Sequence, residues 1–158
     1  MAEGSIINDE LKKLIGMSTD PVIFKVEEGS IQRYAQAIGD PNPIFNDVGY
    51  AKKSKNGRVI CPPGFLGWPI NPTAYDPLKL PASLIAAGAP LMVLDGGIEY
   101  EFYEPVGAGD ILTFTAKIAD MQEKETKSGK MLITTMEMTY INQNGDIAVK
   151  SRASMINR

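Results

Sequence analysis

The sequence predicts an α+β domain in which one long, curved antiparallel sheet wraps around an apolar segment. Three observations carry that prediction. Residues 96–157 alternate apolar and polar side chains at period two over four stretches, the mark of strands with one covered face. Residues before about 95 hold nearly all the prolines and read as helices, loops and turns. The apolar segment from Cys61 to Leu94 is the only candidate for the piece the sheet encloses. At 158 residues the chain reads as a single domain, 1–158.

A first helix is expected over Asn8 to Met17, where Leu11, Leu14 and Ile15 share a face and Gly16 closes the end. Pro21 to Val26 reads as a short strand. Ser30 is expected to cap a second helix, on which Ile31, Tyr34, Ala35 and Ile38 fall on one stripe. Gly39 ends it, and Pro41 and Pro43 prevent its continuation. Another short helix is expected near Val48 to Lys53.

The strand half is clearer. Ile98, Tyr100 and Phe102 alternate with Glu99 and Glu101, and Leu112, Phe114, Ala116 and Ile118 alternate with Thr113, Thr115 and Lys117. Leu132, Met136, Met138 and Tyr140 oppose Glu137 and Thr139, and Ile147, Val149, Ala153 and Met155 oppose Lys150 and Arg152. Ser128-Gly129 and Asn144-Gly145 supply the hairpin turns, Asn-Gly being the strongest short hairpin signal. Met131, Met136 and Met138 read as core or as a subunit contact, and Glu123 to Lys130 as a solvated hairpin tip.

Composition excludes several function classes. A net charge of −3 argues against a nucleic-acid partner. One cysteine excludes an internal disulfide, a Cys-x-x-Cys redox pair and a thiolate-rich metal site; nothing nearby activates Cys61 as a nucleophile. There is no histidine. Serine-histidine and cysteine-histidine machinery, histidine metal sites and any imidazole proton transfer from this chain are therefore excluded. No segment is long enough to span a membrane, and the first residues lack a signal-peptide pattern, so a cytoplasmic location is expected.

The chemistry-bearing stretch is Tyr34-Ala-Gln-Ala-Ile-Gly-Asp40-Pro-Asn42-Pro-Ile-Phe45-Asn-Asp47. Asp40 and Asn42 each precede a proline, so a stiff backbone presents their side chains; the same residues also make a good turn. Downstream, Cys61-Pro62-Pro63-Gly64-Phe65 opens an apolar run. A proline pair before a glycine can start a helix whose free N–H groups favour negative charge, or simply permit close packing. Lys52, Lys53, Lys55 and Arg58 form a basic cluster suited to phosphates or to a solvated helix end. Trp68, Pro69, Pro72, Tyr75 and Pro77 fall in a long connection that reads as a lid, a subunit contact or an ordered surface excursion.

These motifs, followed by Asp95-Gly-Gly-Ile-Glu-Tyr-Glu-Phe-Tyr-Glu-Pro-Val-Gly-Ala-Gly-Asp110, resemble the MaoC-like (R)-specific enoyl-CoA hydratase and hydroxyacyl dehydratase family, in particular its N-terminal-type dehydratase domain. The resemblance runs from about residue 8 to the end. It implies a hot-dog fold, sheets paired in dimers or double hot dogs, and an acyl thioester of coenzyme A or acyl carrier protein as substrate, with no cofactor. It implies catalytic roles for Asp40 and Asn42, and places Phe45, Pro63, Gly64 and Phe65 against the substrate, the Gly64 N–H on the thioester carbonyl. Phe45 stands where the family has its catalytic histidine, and phenylalanine moves no proton. The resemblance therefore implies a homodimer, or a heteromer with a histidine-bearing hot-dog subunit that supplies the proton transfer. The alternatives are a self-sufficient homo-oligomeric hydratase using Asp40 and a non-catalytic acyl-CoA-binding module.

Overall fold

In the computed structural model, which describes residues 4–67, 79–127 and 129–158, the chain runs α1 (Asp9–Leu14), β1 (Val22–Lys25), α2 (Glu28–Ala37), α3 (Pro43–Asn46) and α4 (Val48–Lys53). After a 3-10 turn at Phe65–Gly67 come α5 (Lys79–Ala86), β2 (Val93–Phe102), β3 (Ile111–Thr126), β4 (Gly129–Ile141) and β5 (Ile147–Asn157). The five strands form one antiparallel sheet in the order β1-β3-β4-β5-β2. The expected α+β architecture is present. The connection carrying Trp68, Pro69, Pro72, Tyr75 and Pro77 lies outside the described residues, as does Ser128 of the expected first turn.

One face of the sheet is covered, and by more than the segment after Cys61. Ile31 and Ala35 of α2, Phe45 of α3, Ala51 of α4, and Phe65 and Leu66 pack with Leu112, Phe114, Ala116, Tyr140 and Val149. Leu11 of α1 and Leu84 of α5 cover the other end, over Ile118, Met121, Leu132 and Met155. Length explains the division. A 16-residue strand extends about 50 Å, whereas the eight residues of α5 make a helix of about 12 Å.

Local chemistry moves several helix ends. Asn8 caps α1, its side chain accepting from Leu11 N at 2.9 Å. The helix stops at Leu14 because the next residues join the sheet, Gly16 N donating to Ile118 O at 2.8 Å and Ile118 N to Met17 O at 3.0 Å. Helix α2 starts at Glu28, ahead of the expected Ser30 cap. Glu27 holds the cap position without a side-chain bond, and Ser30 Oγ instead accepts from Arg33 at 3.1 Å. Ile38 lies at the helix end and is exposed, so the buried stripe is only Ile31 and Ala35.

The β4–β5 turn differs in kind from the expected two-residue hairpin. Gly145 alone has positive φ, at 88°, and its N–H donates to Asn142 O at 3.0 Å, while Asn142 N donates to Asp146 O at 2.9 Å. A type I′ turn needs positive φ at both central residues, and Asn144 does not supply it. Asn142 Oδ1 closes the loop by accepting from Asn144 N and Asp146 N. Met131 falls on the face opposite Met136 and Met138, because side chains alternate along β4.

The Glu123–Lys130 hairpin tip is solvated at Lys124, Glu125 and Lys127, as expected, but tethered at its two ends. Glu123 accepts from Ile6 N at 2.6 Å and Ser5 Oγ at 2.9 Å, and pairs with Lys130 at 2.9 Å, while Lys130 also donates to Gly4 O. Those donors, Lys130 foremost, hold the Glu123 carboxyl down at about 2. Its unfolded value is about 4.3. The tether therefore contributes fully above about pH 4.5 and is lost as pH falls from there toward about 2. The protection factor of the Ile6 amide, its exchange rate relative to the intrinsic rate at the same pH, should fall over that window, and Glu123→Gln should remove that fall. A protection factor unchanged with pH in the parent protein would contradict the tether.

Candidate active site

The double-proline turn is held by its own side chains. Asp40 Oδ1 accepts from Asn42 N at 2.9 Å, and Asn42 Oδ1 caps α3 by accepting from Ile44 N at 3.1 Å. Asn46, which the sequence did not single out, closes the loop by donating from Nδ2 to Asp40 O at 2.9 Å and Asn42 O at 3.0 Å. Asp40 is half-buried and Asn42 exposed. The other Asp40 carboxylate oxygen makes no hydrogen bond among the described residues. Phe45 is 8% exposed, its ring packed in the cluster with Ala51, Val59, Cys61 and Phe65. The motif thus offers one stiffly held carboxylate on the turn that leads into the buried Phe45.

The segment bearing Pro63 and Gly64 is anchored by an ion pair. Arg58 donates to both oxygens of Asp110, at 2.6 and 2.7 Å, and also reaches Ala108 O at 3.3 Å and Pro105 O at 3.4 Å. Asp110 is 4% exposed and further accepts from Gly107 N at 2.9 Å and Gln143 Nε2 at 3.3 Å. Backbone pairing continues the clamp, with Ala108 N to Val59 O at 2.9 Å and Cys61 N to Val106 O at 2.8 Å. Gly107 makes this approach possible, because a Cβ there would sit 2.6 Å from Val59 O. Arg58 is therefore a structural residue and not part of a free basic cluster. Lys52, Lys53 and Lys55 are exposed. Burial pushes the Cys61 thiol up, away from nucleophilic use.

After Gly64 the described residues form a 3-10 turn, Phe65 N donating to Pro62 O at 3.0 Å, in place of the expected α-helix start. Tyr140 Oη donates to Leu66 O at 2.7 Å and pins the turn to the sheet. Pro63 is exposed, Gly64 half-buried and Phe65 4% exposed. Tyr34, at the head of the double-proline motif, leans onto this turn. Its ring meets Phe65 edge to face at 5.7 Å, and its hydroxyl occupies the space a Cβ on Gly64 would take. Tyr100 of β2 packs against the same cluster. The fold thus brings Tyr34, Phe45, Gly64, Phe65 and Tyr100 around one core cluster, with Asp40 and Asn42 on the turn leading into Phe45. Tyr34 and Tyr100 both lie in the quoted motifs, but nothing in their spacing tells that both side chains pack on one cluster.

This contact makes a coupled prediction. Gly64→Ala forces the Tyr34 hydroxyl away, and the ring is wedged against Phe65. In Tyr34→Phe the nearest remaining ring atom is 3.5 Å from the new Cβ, an ordinary contact. Gly64→Ala should therefore destabilise the parent by about 1–3 kcal/mol and the Tyr34→Phe background by clearly less. Additive losses in denaturant melts would sink the contact.

Comparisons with known proteins bear on the family and the fold. The FAS1-like, dehydratase domain region matches residues 13–151. A UPF0336 protein of Parafrankia sp. is 30% identical over 141 residues, covering 89% of this chain and 88% of that protein. A probable enoyl-CoA hydratase alpha subunit of Thermomonospora curvata is 26% identical over 133 residues, covering 77% of this chain and 41% of that protein. The 3R-hydroxyacyl-ACP dehydratase HadBC complex of Mycobacterium tuberculosis superposes with a TM-score of 0.68 at 17% identity, covering 91% of this chain and 97% of that one, a likeness of fold alone. Solved MaoC-like dehydratases and (R)-hydratases share the same hot-dog fold. A match over residues 13–151, nearly the whole chain, places this chain in the FAS1-like dehydratase domain family.

Proposed function

We propose that this chain is the acyl-thioester-binding hot-dog subunit of an (R)-specific enoyl-CoA hydratase or 3-hydroxyacyl dehydratase, and that a histidine-bearing partner completes its active site. The observation that carries this reading is Phe45. Hydration of a 2-enoyl thioester needs a group that moves a proton to or from water at C3. At the position where the family resemblance would put that imidazole, this chain has a ring 8% exposed in an apolar cluster, and it contains no histidine elsewhere. The chain keeps the other parts: a carboxylate on a rigid turn at Asp40, and the Gly64 turn with its N–H for a carbonyl oxygen.

The open edge of the sheet supports the partner. Among the described residues the ten-residue strand β2 pairs only with β5 and ends the sheet. Leu91, Met92, Val93, Leu94, Ile98 and Phe102 are exposed along or just before it. A long apolar edge is an aggregation hazard unless another chain covers it.

The test is affinity purification of the tagged chain from its own cells, with mass determination of the complex and calorimetry with butyryl-CoA. The expected result is a defined complex with a second hot-dog chain carrying histidine after an Asp-x-Asn-Pro motif, and butyryl-CoA binding. A homo-oligomer that hydrates crotonyl-CoA briskly through Asp40 would overturn the partner. A chain that binds no acyl-CoA or acyl-carrier thioester in any assembly would overturn the whole reading.

A further inference from the structure

Hydroxyl groups on the covered face of the sheet are left without partners. Tyr100 Oη and Ser151 Oγ are both sealed from solvent, and neither makes a hydrogen bond among the described residues. Ser151 is 5% exposed. Tyr100 and Ser151 stand directly opposite each other in the β2–β5 register, so their side chains rise side by side from one face. Tyr34 of α2 packs on the same core cluster as Tyr100, its hydroxyl resting on the Gly64 turn. The other orphaned groups, Thr134 and Asn157, lie toward the far end of the sheet, near Leu132 and Met155. Buried polar groups in folded proteins are nearly always paired, because an unpaired one carries its full desolvation penalty. Two such groups side by side, next to the turn that holds Gly64, point to a polar atom that arrives with a ligand.

We propose that the Tyr100 hydroxyl donates a hydrogen bond to the carbonyl oxygen of a bound acyl thioester, with the Ser151 hydroxyl lining the same pocket and Tyr34 packed against the Gly64 turn beside it. The inference rests on the acyl-thioester reading above and adds the residue that grips the carbonyl. Tyr100 suits a donor's role and not a base's. Burial, and after it the nearness of Tyr34 and Asp95, push its phenol up to about 12, so it stays protonated across the physiological range. A phenol that keeps its proton can polarise a carbonyl but cannot take a proton from water. Its place on the edge strand β2 also sets it where a covering partner would meet the same ligand.

The experiment compares Tyr100→Phe with the parent, in whatever assembly the protein purifies as, using two probes: butyryl-CoA, and S-butyl-CoA, a thioether lacking the carbonyl. The parent should bind butyryl-CoA more tightly than S-butyl-CoA. Tyr100→Phe should weaken butyryl-CoA about 3- to 10-fold, the worth of one neutral hydrogen bond, and leave S-butyl-CoA unchanged. Infrared spectra of carbonyl-labelled butyryl-CoA should show the bound carbonyl band at lower frequency in the parent, shifted back in the variant. Without ligand, Tyr100→Phe should melt at the same temperature or about 2–4 °C higher, because an unpartnered buried hydroxyl is removed. Equal butyryl-CoA affinity in parent and variant, an unmoved carbonyl band, or a lower melting temperature in the variant would each overturn the assignment while leaving acyl-thioester binding intact. Failure of the parent to bind butyryl-CoA would instead strike the acyl-CoA reading itself.

Discussion

Asp110→Asn and Arg58→Ala should each lower stability by about 3 kcal/mol, among the largest single losses expected in this domain. Asp110 is 4% exposed and accepts four hydrogen bonds, from both terminal Arg58 nitrogens, Gly107 N and Gln143 Nε2. Removing Arg58 leaves a nearly buried carboxylate without its cation, and the Gly107 N–H and Gln143 cannot compensate a full charge. Asp110→Asn keeps the size but turns one acceptor oxygen into a donor facing a guanidinium. For a chain of this length, about 3 kcal/mol lowers the melting temperature by about 6–12 °C. Arg58→Lys should recover only part of the loss, because an ammonium cannot bridge both oxygens as the fork does. The damage should also spread to the site, since the pair anchors the strand-like segment Val59–Cys61 that delivers Gly64. Losses under about 1 kcal/mol in thermal and denaturant melts would show that the pair is a surface contact in effect.

The second large effect is catalytic. Freed of any partner, the chain should hydrate crotonyl-CoA about 10²- to 10⁴-fold more slowly than a complete Asp/His pair, which corresponds to about 3–6 kcal/mol of barrier. The physical reason is that one carboxylate is asked to do two tasks. Asp40 spends one oxygen on the Asn42 N–H, and its turn leads into the buried Phe45 ring. Asp47 does not stand in for the missing group, because its side chain caps α4 by accepting from Tyr50 N at 2.9 Å. Asp40→Asn in the isolated chain should therefore lower an already slow residual rate further. A family-typical rate in the isolated chain, abolished by Asp40→Asn, would show that Asp40 suffices and that no partner is needed.

Period-two patterning made the sheet legible from residues alone. Leu112, Phe114, Ala116 and Ile118 alternate with polar neighbours because one face of β3 is covered, and all four are buried as that pattern requires. The short helix over Val48 to Lys53 was equally legible, since Asp47 is a good cap and the lysines suit a helix end. The motif order also sufficed to indicate the family, and the absence of histidine needs no coordinates. Helix ends were less legible. Ser30 has cap chemistry, but α2 begins earlier to seat Ile31 and Ala35 under the sheet, and burial outweighs a cap bond.

What the sequence determined by itself, then, is local: alternation, turns, the stiff carboxylate at Asp40 and the aromatic ring at position 45. The tertiary structure alone decided which distant residues meet. Arg58 finds Asp110, Tyr34 finds Gly64, and Tyr100 stands beside Ser151, each across a sequence separation that no local pattern encodes. The reason is physical: strand register and helix docking are set by the summed burial of the whole covered face. A hydroxyl or a charge is carried to its neighbour by that packing, and not by any preference written in its own segment.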